Sequence, residues 1–109
     1  MVGKIEIVYS ENFRNYLDEL AQLLYQKNYF GFIEDVDHYI DKIYDYINNN
    51  IDKPIAKKSP FDFQKFGKYY LKYKANNRTF WYIFFDRKEN RFLVNHILNN
   101  HSKNFTELL

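Results

Sequence analysis

Lysines alternate with aromatic and aliphatic residues in the segment KYYLKYKA, residues 68–75. If this segment is a strand, successive side chains point to opposite faces. One face then carries Lys68, Tyr70, Lys72 and Lys74. Ammonium groups neutralise phosphate and aromatic rings stack on bases, so this mixture is typical of a surface that binds RNA or another polyanion.

The following segment, NRTFWYIFFD (77–86), is apolar on both faces when it is read as a strand. One face would hold Thr79, Trp81, Ile83 and Phe85, and the other Arg78, Phe80, Tyr82 and Phe84. The sequence leaves two placements open for the second row. It can lie on an open sheet face beside the lysines, or form a second small core sealed by the loop that carries Phe61, Phe63 and Phe66.

Histidines are the other groups that could move protons. An unperturbed imidazole has a pKa near ~6.5, so His96 and His101 are possible acid–base groups, although an isolated histidine in an Asn-rich tail is commonly a plain surface residue. His38, His96 and His101 fall on different predicted elements, and no acidic pair has ligand spacing, so we predict no metal site and no cofactor. The sequence also has no Gly-rich phosphate loop and no Ser or Cys nucleophile arrangement.

The composition predicts one globular domain that covers residues 1–109, with 46% hydrophobic and 28% charged residues. The longest apolar run, residues 80–85, is far shorter than the ~18 residues of a membrane span. The absence of Cys and of a signal-like N-terminus favours a cytoplasmic protein with no membrane association.

Charge is divided unevenly along the chain. Residues 1–53 hold five Lys/Arg and ten Asp/Glu, a net −5, whereas residues 54–109 hold eleven Lys/Arg and four Asp/Glu, a net +7. This asymmetry suggests that the second half faces an anionic partner. The alternative is two solvated faces whose opposite charges compensate each other.

Hydrophobic periodicity predicts the elements that must position these residues. KIEIVYS reads as a strand, Ser10 as the N-cap of a helix over about 11–27, and a second apolar stripe as a helix over about 32–48. Residues 52–67 contain both prolines and read as an irregular loop. Three strands follow, separated by the turns ANNR and DRKEN, and a polar tail ends the chain.

The predicted order is therefore β-α-α-β-β-β, which indicates an α+β fold. We expect a twisted, mainly antiparallel sheet with a two-helix hairpin packed on one face. Because the hairpin can cover only one face, the aromatic strand at the centre of the sheet would bury one row and leave the other row on the opposite face.

At this level the sequence resembles the RelE/ParE superfamily, the toxins of type II toxin–antitoxin modules, also called plasmid stabilisation proteins. The segments IVYSENFRNYLDEL, KPIAKKSPFDFQKFGKYYLKYK, NRTFWYIFF and FLVNHILNNHSK are similar to the family's first strand and helix, its loop and second strand, and its third and fourth strands. The resemblance covers nearly the whole chain, and Tyr82 stands at the characteristic tyrosine of the third strand.

The resemblance implies site residues for a metal-independent endoribonuclease. It assigns catalytic roles to Lys72, Lys74 and His101, with Arg78 as the residue next to the family's arginine position, and RNA-binding roles to Tyr82 and Lys103. The alternation in KYYLKYKA adds Lys68 and Tyr70 as RNA-binding candidates. Thr79 stands where the family's third strand usually carries an arginine, which departs from the ribonuclease pattern.

Two activities remain open on this resemblance. RelE-like members cleave mRNA in the ribosome, whereas ParE-like members poison DNA gyrase and need no catalytic cluster. A decayed, non-toxic member that only binds an antitoxin or nucleic acid is a third possibility. In each case the resemblance implies a cognate antitoxin protein as a partner, for which the groove beside the helices and the apolar residues Phe105, Leu108 and Leu109 are candidate contacts.

Overall fold

The computed structural model describes residues 4–27, 33–75 and 79–99. The chain forms an α+β fold in which two helices accompany a five-stranded sheet, as the sequence predicts. In chain order the elements are β1 (Glu6–Tyr9), α1 (Glu11–Lys27), α2 (Ile33–Asn50), β2 (Lys57–Lys58), a 3₁₀ helix (Phe61–Phe63), β3 (Tyr69–Lys74), β4 (Phe80–Lys88) and β5 (Arg91–Asn99).

The sheet order is β1-β5-β4-β3-β2, which places the aromatic strand β4 between β3 and β5. Strand β1 runs parallel to β5, and the other neighbours are antiparallel. Two details correct the predicted boundaries. The loop over 52–67 contains β2 and the 3₁₀ helix, and the predicted turn DRKEN is mostly strand, because Lys88 pairs directly with Arg91 and only two residues connect them.

Helix α1 starts where its N-cap residue predicts. The Ser10 hydroxyl accepts a hydrogen bond from the Phe13 amide at 3.1 Å, which satisfies one of the free amides of the first turn. The same hydroxyl donates to the main-chain oxygen of Asn95 at 3.1 Å, and the Ser10 amide donates to the Val94 oxygen at 2.9 Å. The N-cap therefore also fixes the start of α1 against β5.

The main core lies between the helix hairpin and one face of the sheet. From the helices it takes Phe13, Leu17, Ile43 and Ile47, and from the sheet Leu71, Trp81, Ile83, Phe85, Phe92, Val94 and Ile97. Two side-chain bonds tie α2 to the sheet: the Trp81 indole donates to the Tyr39 hydroxyl at 2.9 Å, and the Tyr46 hydroxyl donates to the Lys72 oxygen at 2.7 Å. The row with Trp81, Ile83 and Phe85 is thus the helix-facing row of β4.

A β-bulge in β5 decides which residues reach the opposite face. Phe84 pairs with His96 but Phe85 pairs with Val94, so Asn95 is the extra residue. Because of this insertion, Val94 and Ile97 both lie in the helix-side core although three positions separate them. His96 consequently falls on the outer face, which is the face of the sheet away from the helices.

Asp86 fastens the bulge to the start of β3. Its Oδ2 accepts from the Asn95 side-chain amide at 2.9 Å, and its Oδ1 accepts from the Lys68 main-chain amide at 2.9 Å. Next to it, Gly67 lies against the backbone of β4, where a Cβ atom would be 2.6 Å from the Phe85 nitrogen. Together these contacts set the position at which the loop joins the sheet.

No helix among the described residues is both long and apolar enough to cross a membrane.

Replacing Gly67 with Ala should destabilise the protein by roughly 1–3 kcal/mol, because the new methyl group would overlap the main chain of β4 rather than a movable side chain. Urea denaturation measures this change. Lys53→Ala, an exposed substitution after α2, is the control and should stay within about 0.5 kcal/mol of the parent. An equally small effect of Gly67→Ala would show that this close approach is absent in solution.

Candidate functional site

The outer face of the sheet carries a row of lysines along β3. Lys72 and Lys74 pair across to Tyr82 and Phe80, and cross-strand partners share a face, so both lysines point away from the helices. Lys68 lies at the start of the same side, and all three side chains are exposed. We call Lys68, Lys72 and Lys74 the lysine row.

No carboxylate of the described residues neutralises the positive charge of the lysine row. None of its ammonium groups lies within ion-pair distance of a carboxylate there, whereas Arg91 pairs with Glu6 at 2.8 Å elsewhere on the sheet. Lys72 instead sits over aromatic rings, with its Nζ 4.6 Å from the Phe80 centroid and 6.0 Å from that of Tyr82. This cation–π contact orients the ammonium group without cancelling its charge.

The second aromatic row of β4 is covered. Residues 59–67, which we call the Phe loop, place Phe63 flat on Phe84, with centroids 5.7 Å apart and planes 6° apart. Phe66 stacks on His96 at 4.1 Å and 13°. Of the two placements left open by the sequence, the structure therefore has the second small core, formed by Phe63, Tyr70, Tyr82 and Phe84 with Phe66, Phe80 and Leu98 around it.

This cover limits what Tyr70 and Tyr82 can do. Their side chains are 7% and 1% exposed, so neither ring offers a free face to a base unless the Phe loop moves. Burial raises the pKa of Tyr82, and the neighbouring Tyr70 raises it further. Tyr82 therefore keeps its proton near neutral pH, where it can donate a hydrogen bond but cannot act as a general base.

The structure brings together only part of the predicted site. Lys68, Lys72 and Lys74 lie side by side, whereas Arg78, His101 and Lys103 fall outside the described residues. The predicted partner-binding residues at the end of the chain, Phe105, Leu108 and Leu109, also lie outside them. Thr79, at the position where the family usually has arginine, directly precedes β4 and is partly buried.

Of the histidines that the structure describes, His96 is the one that lies on the same sheet face as the lysine row. It is half-buried between Phe66 and the aromatic cluster on the outer face. Tyr16 of α1 also reaches it edge-on, with centroids 6.4 Å apart, because β1 pairs only with residues 91–94 and leaves β5 as the sheet edge at His96. Burial lowers the pKa of His96, and the positive charge of Lys65 lowers it further. The imidazole is consequently neutral at physiological pH and serves first as a packing partner of the Phe loop.

Two further cations belong to the neighbourhood of the site, and the sequence analysis did not select them. Lys57 of β2 pairs with Tyr70 and so shares the outer face, and Lys65 lies over the Phe66 ring at 5.1 Å. The adjacent lysines in the segment AKKS could have indicated Lys57 as a site residue. However, a two-residue edge strand has too few positions to show which side chain points to which face. Within the described ranges, no three His, Asp or Glu side chains are grouped closely enough to hold a metal ion.

No protein-family model matches this chain, and no curated protein or solved structure matches it either. The resemblance to the RelE/ParE superfamily thus rests on the sequence segments themselves and remains a hypothesis.

Two phenylalanines of the Phe loop should respond differently to truncation. Phe63 is 3% exposed and packs on Phe84, so Phe63→Ala should cost about 3 kcal/mol or more through lost burial and the cavity left behind. Phe61 is 85% exposed, so Phe61→Ala should change stability by less than about 0.5 kcal/mol. Equal losses in chemical denaturation would contradict the described cover.

His96 should make stability depend on pH. The unfolded histidine has a pKa near ~6.5 and the folded one a lower value, so acidification gives the unfolded state more protons than the folded state. The stabilising contribution is therefore complete above the unfolded pKa and is lost as the pH falls through the folded pKa. His96→Phe, which retains a ring to stack on Phe66, should reduce the decline in unfolding free energy between about pH 7.5 and 5.5. His38→Gln, at an exposed position on α2, is the control; a parent-like slope in His96→Phe would refute the assignment.

Proposed function

We propose that this protein is the toxin of a type II toxin–antitoxin module of the RelE/ParE kind, and that it acts on RNA. The class is supported by the resemblance together with the observed order of elements and the helix hairpin on one sheet face. The observation that carries the RNA assignment is the lysine row. Three exposed lysines on one sheet face, with no carboxylate partner among the described residues, suit a phosphate backbone better than any neutral ligand.

The lysine row would serve two steps of RNA cleavage. Successive residues on the same side of a strand lie roughly 6.6 Å apart, so Lys72 and Lys74 can contact one phosphate or two adjacent ones. During cleavage the 2′-oxygen loses its proton and attacks phosphorus while the 5′-oxygen leaves and takes up a proton. Lys72 and Lys74 would stabilise the charge on the phosphorane, and Arg78 and His101 are the proposed additional cation and proton-transfer group.

A gyrase inhibitor is the second candidate, and two observations favour it. The tyrosine that the resemblance places in the ribonuclease site, Tyr82, is buried under the Phe loop. In addition, a largely apolar depression of about 330 Å³ lies at the β4–β5 hairpin, and its lining consists of Val8, Leu93 and Phe92, the cations Arg87, Lys88 and Arg91, and Asp86. An apolar surface with basic neighbours suits contact with a protein. A cognate antitoxin is the expected partner under both candidates.

The discriminating experiment is regulated expression of the parent and of Lys72→Ala/Lys74→Ala, with transcript integrity and DNA damage followed during growth arrest. On the RNA proposal the parent arrests growth with cleaved transcripts. The double variant should lose both effects, because a well-placed charge-stabilising group contributes on the order of 10²–10³ in rate. Its stability should fall by no more than about 1 kcal/mol, the value of an exposed cation–π contact.

Lys42→Ala/Lys53→Ala is the matched control, because it removes the same charge from exposed positions on and after α2. It should arrest growth like the parent. Growth arrest with intact transcripts and damaged DNA would replace the RNA assignment with the gyrase alternative. If the parent causes no arrest at all, the toxin proposal itself is refuted and the decayed-member reading takes its place.

A further inference from the structure

Phe61 is the most exposed large apolar side chain of the described residues, at 85%. The folded protein leaves this ring in solvent, whereas Phe63, two positions later, is almost completely buried. In a 3₁₀ helix, residues three positions apart eclipse each other, so Phe61 lies on the same side as Gln64. The ring is therefore on the opposite side of the Phe loop from the aromatic cluster that the loop covers.

Gln64, whose amide donates a hydrogen bond to the Phe61 oxygen at 3.2 Å, lines a basic depression of about 260 Å³ together with Lys58, Lys68 and Tyr69. Two ammonium groups and an amide are thus gathered around one small opening. No carboxylate of the described residues is among its lining groups. Two cationic side chains around one concave surface favour an anion over a neutral or cationic ligand.

Ser59 contacts two of the residues that line the depression. Its amide donates to the Lys68 oxygen at 2.8 Å, and its oxygen lies 3.5 Å from the Gln64 side-chain nitrogen. Its own hydroxyl is buried and has no hydrogen-bond partner among the described residues. Through its main chain Ser59 thus holds Lys68 and Gln64, two of the lining residues, next to each other.

We infer that Phe61 and the basic depression form a nucleotide subsite for single-stranded RNA, in which the phosphate lies between Lys58 and Lys68 and the base stacks on the Phe61 ring. This inference rests on the proposed function, because it extends the path of the RNA from the lysine row past the end of β3. Lys68 belongs to both the row and the depression, whereas Lys58 pairs with Tyr69 and so lies on the helix-facing side of the edge strand β2. The RNA would therefore pass around this edge of the sheet at Lys68. Stacking on an exposed ring requires an unpaired base, so a duplex does not fit.

The test is fluorescence anisotropy with a labelled oligouridylate of about eight nucleotides, a length within the range of one single-strand binding site. Phe61→Ala should weaken binding about 5- to 150-fold, the equivalent of one lost base–aromatic stack. Phe61→Trp should bind at least as tightly as the parent, because the indole preserves the stacking face. Phe61→Leu separates stacking from simple hydrophobicity and should behave like Phe61→Ala.

Lys58→Ala provides an independent readout, since losing one phosphate contact should weaken binding and make the slope of log affinity against log salt shallower by about 0.7. Lys53→Ala, an exposed lysine outside the depression, is the control and should leave the slope unchanged. Parent-like affinity in both Phe61→Ala and Phe61→Leu would overturn the subsite. If Lys72→Ala/Lys74→Ala still weakened binding in that case, the proposed function would survive its failure.

Absence of any oligouridylate binding by the parent at low salt would overturn the subsite and the RNA proposal together. If Phe61→Ala instead reduced gyrase inhibition, Phe61 would be a protein contact and the nucleotide subsite would be refuted. Because Phe61 is exposed, none of these variants should fail to fold, and thermal denaturation of each one checks this.

Discussion

The structure depends on one constraint: strand β4 is aromatic or aliphatic on both faces and must be covered twice. One row packs under the helix hairpin, where Trp81, Ile83 and Phe85 meet the apolar stripes of α1 and α2. The other row requires a second cover, which the chain supplies through Phe63 and Phe66 of the Phe loop. A strand with only one covered face would leave Tyr82 and Phe84 in water, at a cost of about 1.5–3 kcal/mol for each large apolar side chain.

The position of the Phe loop follows from contacts at its base. Gly67 allows the chain to pass against the main chain of Phe85, and Asp86 binds the amide of Lys68 while holding the bulge at Asn95. The bulge in turn presents His96 to Phe66, which stacks on it. The Phe loop, the bulge at Asn95 and the start of β3 are therefore connected to one another. The lysine row begins at Lys68, directly after the Phe loop.

The sequence predicted the parts of this structure that repeat with a regular period. The 3.6-residue stripes located both helices, Ser10 marked the start of α1, and the alternation in KYYLKYKA placed Lys72 and Lys74 on one face. The Phe loop has no period, and the choice of Phe63 over Phe61 as the buried ring depends on where the 3₁₀ helix turns. The bulge at Asn95 is likewise invisible in the sequence, because a single inserted residue changes which face His96 occupies without changing the apolar pattern elsewhere.

The central claim is that the lysine row binds the phosphates of single-stranded RNA. The most direct test is the salt dependence of the affinity of the unmodified protein for such an RNA. Each neutralised phosphate contributes about −0.7 to the slope of log affinity against log salt, so engagement of all three lysines predicts a slope of about −2 or steeper. A slope near zero, or no detectable binding at about 50 mM salt, would contradict the account.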